Sequence, residues 1–211
     1  MKMCINVVLF ILLFSSTLLA TWQIPDVLIH EGKEYSIYNE LLDPYFKKYP
    51  ERNPKDENYM CSANWRGYRA TFEISNGDLR LKDIVKNACG DSTASELTKA
   101  VPGGKPLKID WYTGVLTSMD GENPGDSYSM EFLYSFERYS VFEIAEGRLS
   151  IARHFDNEGF KIFKKEQFDK YKKSDEYREK IKQATSDGRQ ANKEAEESIG
   201  FWFPFSLKKI L

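Results

Sequence analysis

Polar and apolar residues alternate most cleanly between Trp65 and Ile84, which reads WRGYRATFEISNGDLRLKDI. Ala70, Phe72 and Ile74 fall on one side; Arg69, Thr71 and Glu73 fall on the other. That period of two predicts a half-buried strand. Asn76-Gly77 follows, the preferred pair for a two-residue type I′ turn, and Leu79 and Leu81 resume the apolar side. Setting Ser75 opposite Asp78 makes Ile74 face Leu79, Phe72 face Leu81 and Glu73 lie across from Arg80. A slip of one residue would bury the charges, so the register is well specified. The pattern returns as Phe142-Glu143-Ile144, a Glu146-Gly147 turn, then Leu149 and Ile151. By the same arithmetic Ile144 faces Leu149 and Phe142 faces Ile151. A duplicated unit and the convergence of two amphipathic hairpins both give such a repeat.

Weaker signals flank these hairpins. Val27 to His30 and Glu34 to Tyr38 read as strands around a Glu31-Gly32-Lys33 turn. Asn39 to Tyr49 predicts one or two helical turns, with Pro44 near the start of the second, and Pro50 to Asn58 a polar loop. Ser92 to Ala100 reads as a short helix, Leu107 to Met119 and Tyr128 to Phe136 as strands. Further on, Phe168, Tyr171, Tyr177, Ile181 and Ala184 fall on one helical stripe, and Ser174 is placed to cap a second helix. These elements predict an α+β domain: an antiparallel sheet of about six to eight strands built from successive hairpins, with helices at its C-terminal end.

The ends of the chain set its expected compartment. Lys2 precedes an apolar run from Ile5 to Leu19, and Ala20 offers a small residue for cleavage. The run is shorter than the about 20 residues of a membrane span, so residues 1–20 read as a signal peptide. The organisation expected is a signal peptide over 1–20, a sheet-rich domain over 21–186, and a polar segment with an apolar tail over 187–211. Export implies a periplasmic or secreted protein. It also favours a disulfide between Cys61 and Cys89, the two cysteines left after cleavage, worth roughly 3–4 kcal/mol on a chain-entropy account. The formal net charge of −2 gives no basic field for nucleic acid.

No sequence feature names a reaction. His30 and His154 are the chain's two histidines, and neither lies in a metal-ligand spacing. No Walker or nucleophile-elbow motif occurs. No metal, cofactor or catalytic residue is therefore assigned. Glu73, Glu143 and Asp110 are the carboxylates from which a glycan hydrolase would be built, with two of them about 5–10 Å apart. Against that, Glu73 has Arg80 as an expected partner. The best candidate binding surface is Trp65, Arg66, Tyr68, Asp110, Trp111 and Tyr112, because flat rings with polar handles and arginine recur at binding hot spots. Phe201, Trp202, Phe203 and Phe205, in the terminal FWFPF, either dock on the domain or contact a membrane peripherally.

The hairpin WRGYRATFEISNGDLRLKDI, the stretch DWYTGVL from Asp110 to Leu116, and FEIAEGRLS from Phe142 to Ser150 resemble a loose set of bacterial proteins without an assigned activity. Those proteins share a W-x-G-Y-x-A-T-x-E-I hairpin, a D-W-[FY]-[ST]-G-x-L strand and a late hairpin ending in Gly-x-Leu. The resemblance spans about residues 25 to 185. It implies a bacterial source and a shared fold, and carries over no functional residue. The cysteine pair, the signal peptide and the FWFPF tail depart from it. The expectation is an exported, non-enzymatic binding or interaction protein of the bacterial envelope, its partner another protein. The alternatives are a carboxylate-dependent hydrolase of envelope polymers and a structural envelope component.

Overall fold

The computed structural model describes residues 23–55, 62–86, 89, 94–122, 135–186, 193–197 and 199–200. The expected signal peptide, Cys61, most of the strand expected over Tyr128 to Phe136, and the FWFPF tail lie outside the described residues. The strands are β1 (Asp26–His30), β2 (Lys33–Ile37), β3 (Tyr68–Ser75), β4 (Asp78–Lys86), β5 (Leu107–Lys108), β6 (Gly114–Asp120), β7 (Arg138–Ala145) and β8 (Arg148–Asp156). The helices are α1 (Asp43–Lys48), α2 (Leu97–Ala100), α3 (Asn157–Tyr171) and α4 (Asp175–Ser186). The fold is α+β, with one sheet in the order β2-β1-β3-β4-β8-β7-β6 and β5 beside β4.

Three two-residue turns organise the sheet. Glu31-Gly32, Asn76-Gly77 and Glu146-Gly147 all have both residues at positive φ (51° and 75°, 52° and 79°, 48° and 70°). That is the type I′ geometry, whose twist matches the strands it joins. In the β3–β4 hairpin Ser75 faces Asp78, Ile74 faces Leu79 and Phe72 faces Leu81, as the alternation requires. The β7–β8 hairpin departs from the expected register. A bulge between Glu143 and Ile144, with Ser150 as the extra residue on β8, places Phe142 opposite Ala152 and Glu143 opposite Ile151. One inserted residue swaps the faces beyond it, so Ile151 points away from Phe142 and is exposed.

One pair breaks the antiparallel plan. β2 occupies one side of β1, and β3 takes the other side running parallel to it. The chain between β2 and β3 passes through α1 before it returns, so no tight turn forces the reversal. The two central hairpins then meet tip to tip. The Leu79 amide donates to the Gly147 carbonyl and the Leu149 amide to the Gly77 carbonyl, each at 2.8 Å. Asp78 faces Arg148 across this junction. The exchange is a local two-fold relation, and it stops at the next strands: β1 runs parallel to β3, whereas β6 is antiparallel to β7.

The DWYTG stretch is not continuous strand as its sequence suggested. β5 ends at Lys108 and β6 begins at Gly114, and the residues between wrap the β7–β8 turn. The Gly147 amide donates to the Tyr112 carbonyl (2.9 Å) and the Glu146 amide to Thr113 Oγ1 (3.0 Å). A Cβ at Gly147 would lie 2.5 Å from the Ile109 carbonyl oxygen. Glycine is needed there both for its φ and for this approach.

The sheet curls until β2 and β6 lie side by side, with Cα atoms within 8 Å. Leu28, Phe72, Leu79, Leu81, Leu116 and Phe142 fill the concave side, and Tyr35 of β2 reaches across to Phe142, ring centroids 4.9 Å apart. A second core lies on the convex side of β6 and β7, where Val115, Met119, Tyr139 and Val141 pack against Phe160 and Tyr171 of α3. Burial on both faces explains why β6 shows no alternation. Asp156 caps α3 through the Gly159 amide (2.7 Å), and Ser174 Oγ accepts from the Tyr177 amide (3.2 Å) at the start of α4. Residues 193–197 are helical with Ala195 buried, and Ile199 packs against this second core.

Candidate functional site

Of the six residues expected to form a binding surface, Tyr68 and Trp111 lie in a line of packed rings. Tyr68 meets Phe46 of α1 (5.5 Å between centroids), Phe46 meets Tyr45 (5.6 Å), and Tyr45 stacks on Trp111 (5.6 Å). The Trp111 indole donates to the Leu41 carbonyl (3.0 Å), and the Tyr112 hydroxyl to the Val115 carbonyl (3.1 Å). Burial pushes the Tyr68 and Tyr112 phenols well above their ordinary range. Asp110 is exposed in the turn beyond β5. Trp65, 52% exposed, is the member of the set with a large open ring.

Arg66 is committed elsewhere. Its guanidinium forks onto Asp26, Nη1 to Oδ2 at 2.8 Å and Nη2 to Oδ1 at 3.2 Å, and Asp26 Oδ1 also accepts from the Ala70 amide at 2.8 Å. Both partners are buried. Burial raises the Asp26 carboxyl, against the opposing pull of Arg66. The pair ties the start of β1 to the segment entering β3. Sequence reasoning missed Asp26, although its spacing from Leu28 puts a carboxylate on the apolar side of β1.

The three candidate carboxylates have separate settings. Glu73 binds Lys82 at 2.9 Å rather than Arg80, because Arg80 turns to Asp78. Glu143 lies 3.8 Å from Arg153, whose guanidinium sits over the Phe163 ring of α3. Cys89 is exposed, and Cys61 lies outside the described residues.

A groove of 420 Å³ opens where the β1–β2 and β3–β4 tips stand next to the start of β8. The parallel pairing of β1 with β3 brings those two tips to the same end of the sheet. Ile29, Ile74 and Leu149 give the groove apolar surface, and Glu31 and Glu73 give it charge. His30 connects it to the core. Its ring meets Phe142 edge-on (5.5 Å, 85°), its Nε2 lies 4.0 Å from the Glu31 carboxylate, and its Nδ1 is buried with no hydrogen-bond partner. His154 also meets Phe142 (6.3 Å), stacks with Tyr35 (6.2 Å) and holds Ser140 Oγ 2.9 Å from its Nδ1. Burial, with the Glu31 and Asp120 carboxylates, raises the Tyr35 phenol. Both histidines of the chain thus flank one buried ring. Sequence reasoning identified the turns that build this groove but not their convergence.

Among the described residues, no group of three His, Cys, Asp or Glu side chains is arranged to hold a metal. Comparison with protein-family models, curated proteins and solved structures finds no match to this chain.

Proposed function

We propose that this chain is an exported, non-enzymatic binding protein of the bacterial envelope, and that the groove at the hairpin tips is its binding site. The observation that carries the reading is the groove itself. It is an open concavity on rigid elements that mixes aliphatic surface with a few polar side chains, which is the usual composition of a recognition site. Its tip residues are held by hydrogen-bonded type I′ turns, so little ordering is required on binding. A Cys61–Cys89 bond would staple the open end of the β3–β4 hairpin and suits an oxidising compartment. The partner is another protein.

Capture from envelope extract tests this with two variants. Ser75→Trp fills the groove from its rim, and Trp65→Ala removes the exposed indole. The proposal expects the Ser75→Trp protein, folded by circular dichroism, to lose a partner that the Trp65→Ala protein retains. The reverse result moves the site to the Trp65 surface. Turnover of an envelope polymer that disappears in Glu73→Gln or Glu143→Gln would replace binding by hydrolysis.

A further inference from the structure

We infer that the partner protein supplies an extended segment that adds a strand to the free edge of β8 and ends in the groove; this rests on the groove being the binding site. Among the described residues, β8 is paired along its length on the β7 side alone. On its other side it meets β4 at the single pair Asp78 and Arg148. The two strands leave that junction in opposite directions, so no part of β4 lies beside β8 past Leu149. Ser150, Ile151 and His154 are exposed there. The register says which backbone groups are open. Across a two-residue turn the flanking residues, Ala145 and Arg148, form a hydrogen-bonded pair, and such pairs alternate with non-bonded ones along the ladder. Leu149 therefore turns its amide outward, and that amide reaches the Gly77 carbonyl at 2.8 Å. Beyond the bulge, Ala152 and His154 stand opposite Phe142 and Ser140, in the same non-bonded class as Leu149. Their amides and carbonyls point away from β7, and among the described residues no strand or turn meets them. Donors and acceptors at strand spacing are the complement of another extended backbone.

The side chains and the groove narrow the occupant. Ile151 is 40% exposed and offers an apolar neighbour to alternate residues of the added strand. β8 leaves the hairpin tips at Leu149, which also lines the groove. A segment laid along β8 thus runs into the concavity, where Ile29 and Ile74 give apolar surface to its end. A second copy of this chain fits the edge less well. Pairing Ala152 with His154 of a copy sets Arg153 against its own mate, and like charges directly opposite are unfavourable.

The probe is a displayed library of random dodecapeptides selected on the protein. N-methylation of alternate amides along one edge of a selected peptide should abolish binding, and methylation along the other edge should leave it. Binding should slow amide hydrogen exchange at Ala152 and His154. Ala152→Pro should weaken it about tenfold or more, because proline removes a bonded amide and its ring crowds the incoming backbone. Proline is tolerated at a sheet edge where the amide faces solvent, and the exchange measurement on the unaltered protein decides the matter if this variant does not fold. A library that yields no binder, or binding that leaves exchange at Ala152 and His154 unchanged, overturns the inference. A concentration-dependent dimer in sedimentation with the same amides protected replaces the partner by a second copy, and also overturns it. If Ser75→Trp abolishes partner capture while a folded Ala152→Pro does not, the groove remains the site and strand addition alone is refuted.

Discussion

Single residues carry unequal weight in this fold, and Asp26 is the clearest case. Its carboxylate is fully desolvated yet takes three hydrogen bonds, two from Arg66 and one from the Ala70 amide. Asp26→Asn leaves a buried guanidinium without its counter-charge and should destabilise the protein by about 3–5 kcal/mol in chemical denaturation. The double replacement Asp26→Leu with Arg66→Met should fall closer to the wild type than Asp26→Asn does, since two paired charges cost more to desolvate than matched apolar groups. His30 behaves in the opposite way. Its Nδ1 is buried with no partner, a state that costs about 1–3 kcal/mol. His30→Phe keeps an aromatic edge toward Phe142, so the unfolding midpoint should hold or rise while groove binding weakens. A marked loss of stability would show that the imidazole has a structural partner.

At the scale of elements, the turns separate backbone strain from packing. Gly32 and Gly147 share a left-handed φ, but a Cβ at Gly32 meets nothing within 4 Å, whereas one at Gly147 would collide with the Ile109–Asp110 backbone. Gly32→Ala should therefore cost about 1–2 kcal/mol, the handedness penalty alone. Gly147→Ala should cost clearly more and loosen the residues that wrap the turn, as amide hydrogen exchange at Tyr112 and Gly147 would report. These turns were legible from sequence because Asn-Gly and Glu-Gly sit between alternating apolar residues. The bulge between Glu143 and Ile144 was not, because one inserted residue leaves no local signature. The break at Ile109 to Thr113 was hidden for a different reason: Trp111 and Tyr112 look like strand residues, and what bends the chain is the β7–β8 turn beneath them.

Across the whole molecule, the tip-to-tip junction is held electrostatically as well as by its ladder. Asp78 accepts from Lys108 (3.0 Å), Arg80 (2.9 Å) and Arg148 (3.2 Å), drawing β5 and β8 onto β4. The Lys108 hydrogen bond, then those of Arg80 and the charge of Arg148, hold its carboxyl below the ordinary aspartate value. Asp120 is lowered likewise by its hydrogen bond from Arg138. A carboxyl depressed in the folded state stabilises it above the unfolded-state pKa, about 4. That contribution is lost as pH falls through the lower folded value. Denaturation midpoints should drop on acidification below about pH 4, and less steeply in Asp78→Asn. The α+β class was readable because hairpins and a helical stripe are local patterns. The groove was not, because it depends on the parallel contact between β1 and β3, whose paired residues Leu28 and Phe72 lie far apart in sequence. The expected aromatic surface was misleading for a related reason: rings suited to recognition are equally suited to packing, and α1 supplied Tyr45 and Phe46 to receive them.

The central claim, that ligands seat between the hairpin tips, is tested most directly by nuclear magnetic resonance. Adding the partner captured from envelope extract to the isotopically labelled protein should shift the amides of residues 29–32, 73–77 and Leu149. Shifts confined to Trp65 and to residues 110–112, with the hairpin tips unmoved, would contradict it.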